Sequence, residues 1–115
     1  MSHLVQTGNL TAAPELKTSG AGKRWCEARI IHNDRERSRD GSWRTISTIA
    51  YTVRIYGRQA ELLVEAAESN GDINILFAGR YTVRTYTRKD GRGEGIAYEV
   101  DADDIAITLG QRLDI

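Results

Sequence analysis

The sequence predicts an all-β domain: a barrel of five strands with one helix between the third and the fourth. Three observations lead there. β-Branched and aromatic residues alternate with polar ones along several long segments. One stretch only, residues 58–68, changes to a helical period. Asp-Gly pairs and isolated glycines fall where strands would have to turn or bend.

The elements follow in order. Residues 4–10 read as a first strand with Gly8 inside it, and a glycine there marks a bulge or a close backbone approach. Residues 12–23 hold Pro14, Ser19, Gly20 and Gly22, a loop signal. Residues 24–33 form a second strand, with Cys26, Ala28, Ile30 and His32 on one face and Trp25, Glu27 and Arg29 on the other. Residues 34–41 are charged and end in Asp40-Gly41, which predicts a turn. Residues 43–56 are a long third strand carrying Ile46, Ile49, Tyr51, Val53 and Ile55. In residues 58–68, Leu62/Ala66 and Leu63/Ala67 make one apolar helix face, and Asn70-Gly71 stops the helix. Residues 73–87 return to strand, interrupted at Gly79. Asp90-Gly91 predicts another hairpin, and residues 96–109 a last strand. A Greek-key barrel of five strands, with its helix between strands three and four, is the OB-fold. An open sheet with the helix on one face is the competing architecture.

The chain of 115 residues and 12.8 kDa has room for a single domain, residues 1–115. No segment is long and apolar enough for a membrane span, and Met1-Ser2-His3-Leu4 does not open a secretory signal. The single cysteine, Cys26, cannot form an internal disulfide, which fits a reducing, cytoplasmic setting. The net charge is zero, but it is segregated. Residues 17–58 hold ten basic and four acidic side chains, and residues 80–92 hold five and one. Residues 61–72 carry four acids, residues 94–104 five, and neither stretch has a base. A patch, not the average, sets the field that a polyanion meets.

The strongest chemical signal lies in residues 79–88. Alternation puts Arg80, Thr82, Arg84, Tyr86 and Arg88 on one face, with Tyr81, Val83, Thr85 and Thr87 opposite. Several arginines on one strand face resist burial, so that face should be solvated and Val83 should point into the core. The third strand repeats the pattern with Thr52, Arg54 and Tyr56. Arginine beside an exposed aromatic ring suits a single-stranded nucleic acid: guanidinium groups follow the phosphates, and the ring takes an unstacked base. Arg35, Arg37, Arg39 and Arg44 surround Trp43 in or just after a loop, and Lys89 and Arg92 flank the last hairpin tip. The candidate nucleic-acid-binding residues are therefore Tyr56, Tyr86, Trp43, Arg54, Arg80, Arg84, Arg88, Arg35, Arg37 and Lys89, with Trp25 open to a base or to a subunit contact. For catalysis, metal or cofactor there is little support. His32 reads as a satisfied core or interface histidine, Cys26 as a small buried residue, and Asp101, Asp103 and Asp104 as a solvated rim; no phosphate loop or catalytic motif is present.

These residues resemble the bacterial single-stranded DNA-binding proteins. Val5-Gln6-Thr7-Gly8-Asn9-Leu10, followed by Pro14-Glu15-Leu16-Lys17, is similar to that family's opening strand and its "GNL…DPELR" segment. Ile55-Tyr56-Gly57-Arg58-Gln59-Ala60-Glu61 resembles its strand-to-helix junction, an aromatic followed by GKxAE. Gly79-Arg80-Tyr81 through Tyr86, then Asp90-Gly91, resembles its "GRLxxRxW…DG" hairpin, and Tyr98-Glu99-Val100 with Asp104-Ile105 its closing strand.

The resemblance implies an OB-fold that binds single-stranded DNA with little sequence preference, assembles as a homotetramer or at least a dimer, and needs no cofactor, metal or membrane. It implies base stacking on Tyr56 and Tyr86. Ala50 falls where many members have a stacking tryptophan, so that platform is either missing or supplied by Trp43 or Trp25. The sequence ends at Leu113-Asp114-Ile115, without the family's Gly/Pro/Gln-rich tail and its acidic tip. The expectation is a tail-less or truncated form, which would meet replication and repair proteins only if a tail had been removed. An OB-fold adaptor that mainly holds a protein partner is the alternative function, and a small nuclease a third.

Overall fold

The computed structural model describes residues 2–109; the expectation drawn from Leu113, Asp114 and Ile115 lies outside them. The chain runs β1 (Ser2–Leu10), β2 (Leu16–Thr18), β3 (Arg24–Arg37), β4 (Trp43–Tyr56), α1 (Arg58–Asn70), β5 (Asn74–Thr87) and β6 (Glu94–Ile107). The sheet order is β1-β5-β6-β4-β3-β2, and β1 also pairs with β3. That second pairing closes the barrel. Every pairing is antiparallel except β4 with β6. This is the predicted OB-fold topology, with the helix between β4 and β5.

Two glycines make the closure possible. β1 follows β5 from Ser2 to Asn9, then passes to β3 through Asn9 and Leu10. At Gly8 a Cβ would lie 2.6 Å from Ile30 Cγ2 and 2.7 Å from the Ile31 carbonyl oxygen, so only hydrogen fits. At Gly79 a Cβ would run into the Asp101 carbonyl, just where the β5–β6 register shifts.

The inward residues alternate as the strand period requires. Cys26, Ala28 and Ile30 on β3, Tyr51, Val53 and Ile55 on β4, and Ile75 and Phe77 on β5 are all buried. Tyr51 meets Phe77 edge-on, with ring centroids 5.4 Å apart. Burial pushes the Cys26 thiol up to about 11, so it stays protonated and inert. α1 turns Ala60, Leu63 and Ala67 toward this core and ends at Gly71, whose N–H reaches the Ala67 carbonyl at 2.9 Å. Gly57 and Gly71, with φ of 67° and 72°, supply left-handed backbone at its two ends.

Several expectations need correction. The charged segment 34–41 is not all loop: β3 continues to Arg37, so Arg35 and Arg37 sit on a strand. Residues 12–23 contain the short strand β2, which pairs with β3 through Leu16 and Cys26. The last strand covers Glu94–Ile107 and not 96–109. Val83 is not a core residue; it is 49% exposed. For Arg35, Arg37 and Val83 the cause is strand length. β3 with β4, and β5 with β6, run beyond the barrel as two hairpin arms, and a strand with nothing packed on either side buries neither face.

Candidate nucleic-acid interface

Four strands share one outer face. Across β3 and β4, Trp25 stands opposite Tyr56, Glu27 opposite Arg54 and Arg29 opposite Thr52. Across β4 and β6, Thr52 lies beside Glu99 and Arg54 beside Asp101. Across β6 and β5, Asp101 pairs with Arg80, Glu99 with Thr82 and Gly95 with Tyr86. The face thus carries an aromatic pair at one end, Tyr86 at the other and charged side chains between.

Both predicted tyrosine platforms are exposed, Tyr56 by 37% and Tyr86 by 52%. The Tyr86 ring lies over Gly95, where an added Cβ would come within 2.6 Å of its hydroxyl oxygen. The ring is therefore seated on backbone at Gly95 while about half of the side chain stays open to solvent. Tyr56 donates its hydroxyl to Asp101 Oδ1 at 2.9 Å, and the Lys23 ammonium stands 5.5 Å from its ring centroid. Burial first, and then that hydrogen bond, raise the Tyr56 phenol above its usual range. Trp25 is partly exposed, with Lys17 at 5.0 Å from its ring. A shallow cavity of about 420 Å³ is lined by Trp25, Tyr56, Lys23, Arg54, Thr18 and Ser19. It is bordered by two aromatic side chains and has cations at its edge.

The centre of the face is not a bare basic surface. Glu99, with a side chain 12% exposed, accepts from Arg54 at 2.9 Å and from Arg84 at 2.7 Å and 3.0 Å. Arg54 also reaches Glu27 at 3.4 Å. Burial works to raise the Glu99 carboxyl, but the two guanidinium groups outweigh it and hold the acid below the usual glutamate range. Burial likewise works against charge on Arg54, and Glu99, Glu27 and Asp101 together raise its pKa. Sequence reasoning singled out the arginines, missed Glu99 and Glu27, and read Asp101 as a solvated rim, whereas it is half-buried and engaged by Tyr56. Alternation along the last strand separates Glu99 and Asp101 from Tyr98 and Val100, but nothing local tells that β6 lies beside β4.

The remaining candidates fall at the ends of the arms. Trp43 opens β4 opposite Arg37, is 63% exposed and stands at the far end of the first arm. Arg35 is opposite Thr45. Arg44 is engaged by Glu36 at 3.2 Å. Arg88 and Lys89 sit in the turn of the second arm, closed by the Arg88 N–H to the Gly93 carbonyl at 3.0 Å. Among the described residues Arg29, Arg35, Arg37, Arg80, Arg88 and Lys89 have no carboxylate within salt-bridge distance. His32 has an acceptor beside each ring nitrogen: Nδ1 lies 2.7 Å from the Thr7 carbonyl oxygen and Nε2 3.0 Å from Asp34 Oδ1. Its hydrogen bond, with that of Ser47, lowers the Asp34 carboxyl. Among the described residues no cluster of His, Cys, Asp and Glu is arranged for a metal ion, and no helix is long and apolar enough to cross a membrane.

Residues 1–108 match the model of the Single-strand binding protein family. The chain belongs to this family. Its members are binding proteins, and the chain is accordingly not an enzyme. A curated relative, the single-stranded DNA-binding protein of Corynebacterium glutamicum, is 25% identical over 109 residues, covering 94% of this chain and 47% of its own length. The chain thus spans about half the length of that relative. The crystal structure of the small single-stranded DNA-binding protein from Streptomyces coelicolor superposes with a TM-score of 0.80 at 21% identity, over 94% of both chains. That of a deletion mutant of the Thermus aquaticus single-stranded DNA-binding protein gives 0.64 at 21% identity, over 96% of this chain and 52% of the other. These structures share the fold.

Proposed function

We propose that the chain binds single-stranded DNA without sequence preference, in the cytoplasm, during replication, recombination or repair. One observation carries this reading: exposed Tyr56 and Tyr86 lie on a single four-strand face with interleaved arginines, between two arms that end in cations. Bases stack on Tyr56, Tyr86 and Trp25, and on Trp43 where the strand passes the first arm. Phosphates meet the cations that lack a carboxylate, Arg80, Arg35, Arg37, Arg88 and Lys89, with Arg29 among them. Arg54, 29% exposed and held by two carboxylates, acts mainly by positioning its neighbours. Arg84 is 64% exposed and shares Glu99 with it, so it meets phosphate at a discount. Duplex DNA hides its base faces and fits this surface poorly.

A homotetramer, or at least a dimer, accompanies this reading. It is supported by the unpaired edge of β1 ahead of Asn9 and by half-exposed Val5, Ile46, Val83 and Ile96. Light scattering at micromolar concentration should give a multiple of 12.8 kDa; a clean monomer overturns the assembly.

Titration with oligo-dT and with a matched duplex tests the function. Tight, length-dependent binding of oligo-dT that quenches tryptophan fluorescence supports it. The neutralised centre around Glu99 favours one second reading, an adaptor that mainly holds a protein partner. Weak binding of oligo-dT at low salt would select that reading.

A further inference from the structure

A polar cleft of about 280 Å³ opens where β1 leaves β5 and crosses to β3. Thr7 and Asn9 of β1, His32, Asn33 and Arg35 of β3, and Asn74 of β5 line it, and none of its lining residues is acidic. Asn9 is paired with Asn74 on one side and with Ile31 on the other, so β1 stands between β5 and β3 at this point. Asn9 Oδ1 accepts from Asn74 Nδ2 at 3.0 Å, toward β5. On the other wall, Asn33 Oδ1 accepts from the Thr48 hydroxyl at 2.7 Å, toward β4. Each amide oxygen is thus turned to a neighbouring strand. An amide carries its NH2 on the other side of the same carbon. Two NH2 groups are therefore left for the cleft, one from β1 and one from β3.

Arg35 adds an exposed guanidinium that has no carboxylate within salt-bridge distance among the described residues. Asp34 is not part of the lining, and its carboxylate is engaged by His32 at 3.0 Å and by Ser47 at 3.2 Å. The cleft also adjoins the nucleic-acid face. Thr48, which turns the Asn33 amide, lines a cavity of about 350 Å³ at the fork of the two arms, together with Ala50, Arg29 and Tyr86. From Ala50 the strand pairing leads to Ile31 on β3, and from Ile31 to Asn9 on β1.

We propose that this cleft holds a backbone phosphate of the bound single strand, with Asn9 and Asn33 as neutral donors and Arg35 as the charge. A phosphodiester accepts hydrogen bonds and donates none, which suits two NH2 groups and a guanidinium. Thr48 and Asn74 are positioning residues, because they hold the two amide oxygens out of the way. The inference rests on the single-strand reading and extends it. A strand stacked on Tyr86 crosses the fork over Ala50, passes Ile31 and leaves the four-strand face at β1. Neither asparagine is charged, so a count of basic residues does not find them.

Asn9→Asp and Asn33→Asp test this in the full chain. Each keeps the oxygen to which its neighbour donates and replaces only the NH2 with a carboxylate oxygen. Each should weaken oligo-dT binding at low salt by about tenfold, the effect of one hydrogen bond to a charged group. The wild-type chain, labelled with 15N, supplies a second readout that decides the matter should a variant fail to fold. The side-chain NH2 signals of Asn9 and Asn33 should shift with oligo-dT and stay in place with matched duplex. Aspartate variants that bind as wild type does, or NH2 signals that do not move, overturn the cleft; if Tyr86→Ala still loses affinity, the single-strand reading stands without it. A wild-type chain that binds no oligo-dT overturns both. Millimolar inorganic phosphate that moves the two signals when oligo-dT does not would assign the cleft to a free anion and overturn the phosphodiester.

Discussion

In β5, Ile75 and Phe77 are wholly buried, whereas Val83, six residues beyond Phe77 on the same inward-alternating row, is half exposed. β3, β4 and β6 repeat the contrast: each begins or ends inside the barrel and continues into an arm exposed on both sides. The same residue types therefore do different work in the two regions. Inside the barrel an apolar side chain contributes by leaving water and filling space. On the arms it has little to pack against in the single chain, and its value lies in what it offers a ligand or a second copy. Stability and binding should accordingly separate along the length of single strands.

The sharpest break comes from pairing Phe77→Ala with Val83→Ala. The first should cost about 3–5 kcal/mol by leaving a cavity. The second should stay within about 0.5 kcal/mol, as for an exposed position. Urea unfolding measures both, and equal losses would mean that the arms are packed as the barrel is. Gly79→Ala belongs with the barrel: its new methyl meets Asp101 backbone that cannot swing aside. It should cost about 1–3 kcal/mol, as overpacking does.

On the binding side, Tyr86→Ala should lose about 1–3 kcal/mol of oligo-dT affinity for the base no longer stacked, with little change in the urea midpoint. Tyr86→Phe should lose much less, because the π-face survives. A Tyr86→Ala protein that unfolds yet binds normally would invert the assignment of faces.

Salt dependence divides the arm from the centre more finely. Arg88→Ala should flatten the slope of log K against log salt by about 0.7, the amount for one phosphate contact on a single strand. Arg84→Ala should flatten it less, because Glu99 already neutralises part of that charge. Glu99→Gln should steepen the slope by releasing Arg84 and Arg54 toward phosphate.

The smallest effect is a pH dependence. The Glu99 carboxyl is held down in the folded chain, so its pairing stabilises the fold above the usual glutamate range. That contribution should fade as pH falls through the lowered value. Comparing wild type with Glu99→Gln between pH 7 and pH 3 by urea unfolding isolates it: the two curves should converge in acid, and parallel curves would sink the assignment.

Much of this protein is written locally. Alternation placed Cys26, Ala28, Val53 and Ile55 inside and Tyr56, Arg54, Arg84 and Tyr86 outside, because a strand's period of two is a property of the backbone alone. Gly8 and Gly79 were legible as bends, because only glycine tolerates such close backbone approach. The helix in residues 58–70 announced itself by its change of period and by Asn70-Gly71. Three things were decided only by the closed barrel. It set where each strand stops being covered, hence the exposure of Val83 and the strand character of Arg35 and Arg37. It brought β2 onto β3, a pairing that three residues of sequence do not advertise. It also laid β6 parallel to β4, so that Glu99 meets Arg54 from 45 residues away and turns a row of arginines into a charge-balanced network. Local pattern says which way a side chain points; which charge stands opposite depends on chain closure, and that is a long-range property of the whole fold.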